Sequence, residues 1–448
     1  MKQKNVILWL FVGFPLICIA VFLIFVAYLT TRPKIQTTLG QQLYKKGNYT
    51  AAAWWFEKAA KHDNVSAQAW MGHLFYHGRG VPKNYEQAVK WLNKAAYQQN
   101  AWSQNMLGWC YYKGRGVPTN KVLAAEWVLA AAEKGQTEAQ AQLGYFYNKG
   151  IGVEQNYTNS VSWYRKAADQ GNAKAQACLG YAYSKGQGLE QNYTNMVFWY
   201  RKAAEQGLAS SQFALGALYA SGSGVEKNLA TAVEWYRQAA EQNFALAQIR
   251  LGKCYAKGEG VPKDFEKAYD WFRKAADQND PEGLSLVGLS YAFGRGVPKD
   301  SAEAIVWYEK AIHQGYTRAA TYLARCYNDS QNYAEAESWY EKEAEENDAA
   351  SLNGYAWFLA TCPDDNYRNG KKAVELAQKA LDLRPENPAT LDTLAAAYAE
   401  TGQFDFAVET QKKAIERLKD PAKEKQDGYL SRLQSYENKN PWRETSAD

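Results

Sequence analysis

A tryptophan returns every 36 residues through most of the chain, at Trp55, Trp91, Trp127, Trp163, Trp199, Trp235, Trp271 and Trp307. A period of this size marks a solenoid, in which each unit buries its apolar face only against its neighbours. The surrounding phrase in residues 172–207 reads NAKAQACLGYAYSKGQGLEQNYTNMVFWYRKAAEQG. The period constrains architecture strongly and the identity of a ligand hardly at all.

Each unit holds two helical patterns. The first is Ala-Gln-x-x-Leu-Gly-x-x-Tyr, as in Ala175, Gln176, Leu179, Gly180 and Tyr183. Leu and Tyr four apart share a face, and the glycine beside Leu lets a second helix come close. Equivalent pairs stand at Leu107-Gly108, Leu143-Gly144, Leu215-Gly216 and Leu251-Gly252, with Met71-Gly72 and Val287-Gly288 as variants. The second pattern follows an Asn or Asp at 48, 84, 120, 156, 192, 228, 264 and 300. These residue types cap the free N–H groups of a helix start. Ala232, Tyr236 and Ala239 show its buried stripe, and Tyr236 and Leu215 are expected in the core.

Between the two helices lies Gly-x-Gly, from Gly78/Gly80 to Gly294/Gly296. No strand precedes it and no Lys-Ser/Thr follows, so it is no phosphate-cradling loop. A glycine closing the first helix at positive φ explains it better. Together these residues resemble the Sel-1-like repeat (SLR) family, relatives of the tetratricopeptide (TPR) repeats. The resemblance spans residues 66–315, where LGxxYxxGxGV…A…WYxKAA recurs in seven units. It implies an all-α fold, a right-handed α/α superhelical solenoid that acts as scaffold or adaptor without chemistry of its own.

The ends differ from the middle. Residues 1–5 form a short basic tail, and residues 6–29 carry no charge. About 20 apolar residues suffice to cross a bilayer. With no A-x-A site after this long stretch, residues 6–30 read as an uncleaved transmembrane anchor rather than a signal peptide. The basic tail resembles bacterial signal-anchors, which implies a single-pass inner-membrane protein with its repeats in the periplasm. Residues 35–62 form a TPR-like first unit lacking the Gly-x-Gly loop. Another TPR-like unit occupies 316–348, two TPR units fill 349–420, and 424–448 hold a capping helix and tail. That makes eleven helix pairs.

Composition excludes several function classes. There are 52 basic and 47 acidic residues, a net charge of +5, and no nucleic-acid motif, so nucleic acid is not an expected partner. His73 and His77 share a helix face, but no third ligand accompanies them. Cys110, Cys254 and Cys326 occupy one slot in different units, too far apart for a disulfide. Some secreted relatives are cysteine-rich and have a suggested penicillin-binding activity; this chain departs from them and has no S-x-x-K. Neither a cofactor nor a small-molecule ligand is expected, and no enzyme. The run Glu335, Glu337, Glu341, Glu343, Glu345, Glu346 and Asp348 is read as a solvated face, or else as a docking patch for a basic partner.

What remains is a membrane-anchored protein-interaction scaffold of the bacterial envelope. The alternatives are an immunity protein neutralising a toxic secreted effector, and a cell-wall glycan-binding or hydrolytic protein. In TPR-like superhelices the first helix of each pair lines the concave face. Two places after the Leu position stand His73, Trp109, Tyr145 and Tyr181; Trp102 lies five before it, and Tyr76 and Tyr112 five after. These seven are the expected partner-binding residues, for a peptide or a folded domain. The competing expectation is that their rings are additional core.

Overall fold

The computed structural model describes residues 32–418 and 423–444, so the stretch read as an anchor lies outside the described residues. Among the described residues there are 23 α-helices, two short 3-10 turns and no strand, an all-helical repeat solenoid. No helix among them is long and apolar enough to cross a membrane. They fall into two compact units, divided between Glu226 and Lys227.

The first unit contains five antiparallel pairs: Pro33–Lys45 with Tyr49–Lys61, Val65–His77 with Tyr85–Tyr97, Ala101–Lys113 with Lys121–Glu133, Thr137–Lys149 with Tyr157–Asp169, and Ala173–Lys185 with Tyr193–Glu205. Helix Ala209–Ser221 ends it. The first helix of a pair is termed A and the second B. The second unit opens with Leu229–Glu241 and continues with Ala245–Lys257 and Phe265–Ala276, then Pro281–Phe293 and Ser301–His313. Three further pairs follow: Ala320–Asp329 with Tyr333–Ala344, Ala349–Thr361 with Gly370–Leu383, and Pro388–Glu400 with Phe404–Glu416. Helix Lys423–Glu437 closes it.

Repeated sequence becomes repeated geometry through three devices. The first is capping. Asn48, Asn84, Asn120, Asn156, Asn192, Asn228, Asp264 and Asp300 each accept a hydrogen bond from the backbone N–H three residues on, at the start of a B helix. Each cap satisfies one of the N–H groups that a helix start leaves unpaired.

The second device is glycine. Beside the buried Leu, or Val287 in the last case, the A-helix glycine receives a B-helix side chain of the same pair: Tyr164 on Gly144, Tyr200 on Gly180, Phe272 on Gly252 and Tyr308 on Gly288. A Cβ there would stand within 2.9 Å of the ring at each of the four. In the loop, Gly186 closes its A helix at φ 66°. The second loop glycine has another task, which spacing alone did not reveal. A Cβ on Gly188 would lie 2.2 Å from the carbonyl oxygen of Tyr157, where the previous B helix begins. The loop thus seats one pair on the last.

The third device is a buried glutamine. Gln176 donates its Nε2 to the carbonyl of Ala168 in the preceding B helix and accepts on Oε1 from Gln206 at the end of its own. Gln140 and Gln248 do the same with Ala132 and Gln170, and with Ala240 and Gln278. At Gln104 the acceptor bond comes instead from the Lys134 ammonium. Hydrogen bonds at both ends offset the desolvation cost of the buried amide and fix register between helices.

Leu215 and Tyr236 are both buried, as the stripe requires. The acidic run is engaged in part inside the second unit, and Glu335, Glu345 and Glu346 stay exposed. Glu341 pairs with Lys372 at 2.9 Å, Glu343 accepts from the Thr321 hydroxyl, and Asp348 caps helix Ala349–Thr361.

Candidate functional site

The A helices of successive pairs meet one another, as Val65–His77 meets Ala101–Lys113. Side chains three apart on a helix share a face, so the slot before the Leu position and the slot two after it point the same way. In the first unit these slots hold Trp70/His73, Met106/Trp109, Gln142/Tyr145 and Cys178/Tyr181. The second member of each pair was identified from the aromatic pattern; the first was missed. The three-residue spacing was the available signal.

A groove of about 760 Å³ runs along this face across three A helices. Trp109 and Tyr112 form one wall, with ring centroids 5.4 Å apart, and Tyr145 stands on the next helix. Cys178 and Leu208 lie on the far side, and Tyr164 reaches it from the B-helix layer. The Lys113 ammonium sits 4.7 Å from the Tyr112 centroid and 5.2 Å from that of Trp109. This cation–π position holds both rings against a mobile charge. Tyr145 is 40% exposed, whereas Trp109 and Tyr112 are half-buried.

A second, smaller pocket of about 260 Å³ lies between Trp70 and Trp102, with His73 beside them. The Trp70 ring stacks on Phe56 at 5.2 Å, and His73 Nε2 is 3.0 Å from the Tyr44 hydroxyl. Burial, then His77 and Arg79, lower the His73 pKa to about 4. The imidazole is therefore neutral near pH 7 and behaves as one more aromatic wall.

The remaining two residues part company. Tyr181, 49% exposed, lines a separate pocket with Tyr157 and Tyr200. Tyr76 is 6% exposed and packs against Tyr85; its hydroxyl accepts from Arg115 in the next loop. Tyr76 thus sits in the core cluster with Leu92 and Leu107 and lines neither the groove nor the Trp70 pocket. The seven residues are not one surface: three share the groove, two share the Trp70 pocket, Tyr181 lines a third hollow, and Tyr76 is packed inside.

These walls have little reactive chemistry. Burial raises the Cys178 thiol. A thiol so held is not a nucleophile at neutral pH. Burial likewise raises Tyr164. Among the described residues no group of three His, Cys, Asp or Glu is placed to hold a metal ion. The surfaces offered are aromatic faces, a few amides and scattered lysines.

Comparison with known proteins agrees with this architecture. The Sel1 repeat profile matches residues 39–64, 65–100, 103–136, 137–172, 173–208, 209–244, 245–280, 281–316, 317–348 and 367–384. A crystal structure of a protective antigen with an SLR fold, from uropathogenic Escherichia coli strains, is 29% identical. The match covers 92% of each chain with a TM-score of 0.72. A Sel1 repeat protein from Oxalobacter formigenes is 37% identical over 55% of this chain and 96% of its own, with a TM-score of 0.50. No curated protein matches the chain.

Proposed function

The chain belongs to the Sel1 repeat family, and on that premise we propose that it is a membrane-anchored, non-catalytic scaffold of the bacterial envelope. Repeat proteins of this fold generally mediate protein–protein interaction, and the fold is typically without catalysis. The observation that carries the finer reading is the groove lined by Trp109, Tyr112 and Tyr145. Aromatic side chains in a concave, partly dry surface are common anchors for a protein partner. An extended peptide along the A helices would set its apolar side chains between these rings.

The anchor rests on the uncharged stretch 6–29, preceded by Lys2 and Lys4. A short basic tail before such a stretch favours the arrangement with the repeats in the periplasm. Fusing alkaline phosphatase to the C-terminus is expected to give an active reporter. An inactive phosphatase beside a fluorescent cytoplasmic fusion would reverse the compartment.

The test of the site is recovery of partners from detergent-solubilised membranes with the full chain. One stoichiometric protein is expected with wild type and is expected to be lost with the Trp109→Ala/Tyr145→Ala variant. Truncating an anchoring aromatic costs about 2 kcal/mol or more of binding. Retained affinity in a folded double variant would remove the groove from consideration. Melting of the wild type and the double variant alongside the recovery distinguishes loss of the site from loss of the fold.

A further inference from the structure

The second unit carries a pocket of different character. It measures about 480 Å³ and lies between helices Ala245–Lys257 and Pro281–Phe293. Its floor is apolar, with Phe265, Leu286 and Leu289 the large contributors. Five cations line it as well, Arg250, Lys253, Lys257, Lys263 and Arg295, and no carboxylate does. The inner-wall slots explain this. Arg250 and Lys253 occupy the places held by Gln142/Tyr145 in the first unit, and the next A helix puts Leu286 and Leu289 there.

The cations are not evenly neutralised. Lys253 pairs with Glu282 at 2.5 Å and Lys257 with Glu259 at 3.7 Å. Arg250, Lys263 and Arg295 form no ion pair among the described residues. Lys263 and Arg295 instead lie over the Phe265 ring, at 4.6 and 5.7 Å from its centroid. Like charges gathered around an apolar concavity repel one another and focus the field into it. In a chain whose charges nearly balance, 52 against 47, such a local excess is a property of this pocket.

We propose that the pocket binds an acidic peptide segment bearing one large apolar side chain. Its carboxylates would meet Arg250, Lys263 and Arg295, while the apolar group would cover Phe265, Leu286 and Leu289. A lone phosphate group fits less well. Residues 250 to 257 alone spread their charges over about 10 Å of helix, wider than one phosphate, and a phosphate would leave the leucines bare. The site stands apart from the aromatic groove and does not depend on it.

The test is fluorescence anisotropy on the full chain in non-ionic detergent, using a labelled Glu-rich peptide with one central Phe. Binding is expected to weaken as salt rises from about 50 to about 300 mM, since the contacts are ionic and exposed. Arg250→Glu/Lys263→Glu is expected to lose about tenfold or more, with unchanged melting. The equal charge change Lys90→Glu/Lys121→Glu, at exposed positions of the first unit outside the groove, is expected to leave binding intact. A second probe with Ser in place of Phe is expected to bind several-fold more weakly, as is the first probe to Leu286→Ala. Equal loss in the Lys90/Lys121 control, or equal affinity for the Ser probe, would reduce the pocket to non-specific charge attraction and overturn the proposal. Displacement by inorganic phosphate at constant ionic strength would overturn it in favour of an anionic headgroup.

Discussion

The side-chain amide of Gln206 donates to Gln176 Oε1 at 2.7 Å, while Gln176 Nε2 donates to the Ala168 carbonyl at 3.1 Å. One glutamine thereby joins three helices: the preceding B helix, its own A helix and the end of its own B helix. Gln176→Leu would leave the Ala168 carbonyl and the Gln206 amide without this partner. The Ala168 carbonyl keeps the Gly171 N–H and the exposed Gln206 amide can turn to water, so the expected cost is about 0.5–1.5 kcal/mol, the net worth of a hydrogen bond. Hydrogen exchange should rise first around residues 157–205, because solenoid stability is a sum of neighbour terms. A uniform rise through every pair would contradict this account.

Two glycines of positive φ separate strain from collision. Gly171 has φ 90° with nothing within 4 Å of a built Cβ, whereas Gly188 has φ 74° with the Tyr157 carbonyl oxygen at 2.2 Å. Gly171→Ala is expected to cost about 1–2 kcal/mol, the left-handed backbone alone. Gly188→Ala adds displacement of the loop from the previous B helix and is expected to cost distinctly more. Urea midpoints of the two variants provide the measurement; equal midpoints would mean that the close approach is relaxed at no cost.

His73 makes the first repeats sensitive to acid. Its pKa is about 4 in the folded chain, against an ordinary 6.5, chiefly through burial, and His77 is lowered for the same leading reason. The unfolded chain therefore binds more protons between these values. Stability from the neutral imidazole is fully present above pH 6.5, declines as pH falls toward 4, and changes no further below that. His73→Phe is expected to flatten the melting temperature over this window. The same slope in wild type and variant would dismiss the assignment.

At the other end, Asp392 is a buried carboxylate facing the Arg432 guanidinium at 2.8 Å and the Gln411 amide at 2.7 Å. Burial raises its pKa, although Arg432 and Gln411 pull it down. Breaking such a pair from one side costs about 3–5 kcal/mol, because the other charge stays buried and alone. Arg432→Met is thus expected to free helix Lys423–Glu437, and Arg432→Met/Asp392→Leu to restore much of the loss. Hydrogen exchange in residues 427–437 reports the release; a double variant no better than the single would refute the pairing.

Much of the site was readable from repeat arithmetic. Trp109, Tyr112 and Tyr145 do line one groove, because residues at equal slots in successive units must face the same way. Tyr76 shares its slot with Tyr112 yet is packed under Arg115, since Arg79, Arg115 and Arg295 cover rings of the preceding pair. A slot does not say which neighbour reaches across it. The acidic residues 335–348 teach the same point: on the chain they are a run, and in space Lys372 and Thr321 engage part of it.

By itself the sequence determined the repeat, the two helices of each unit, their caps and the glycine that ends each A helix. All of these depend on residues within a few positions of one another, where hydrogen bonding and steric preference are local. Only tertiary structure decided why the second loop glycine is required, where the buried glutamine spends its two bonds, and which aromatic rings remain open. Each of those involves an atom in another helix, such as the Tyr157 carbonyl against Gly188, Gln206 against Gln176 or the Ala168 carbonyl against Gln176. Contacts at that separation follow from how helices seat on one another within and between pairs, a geometry that local preference does not encode.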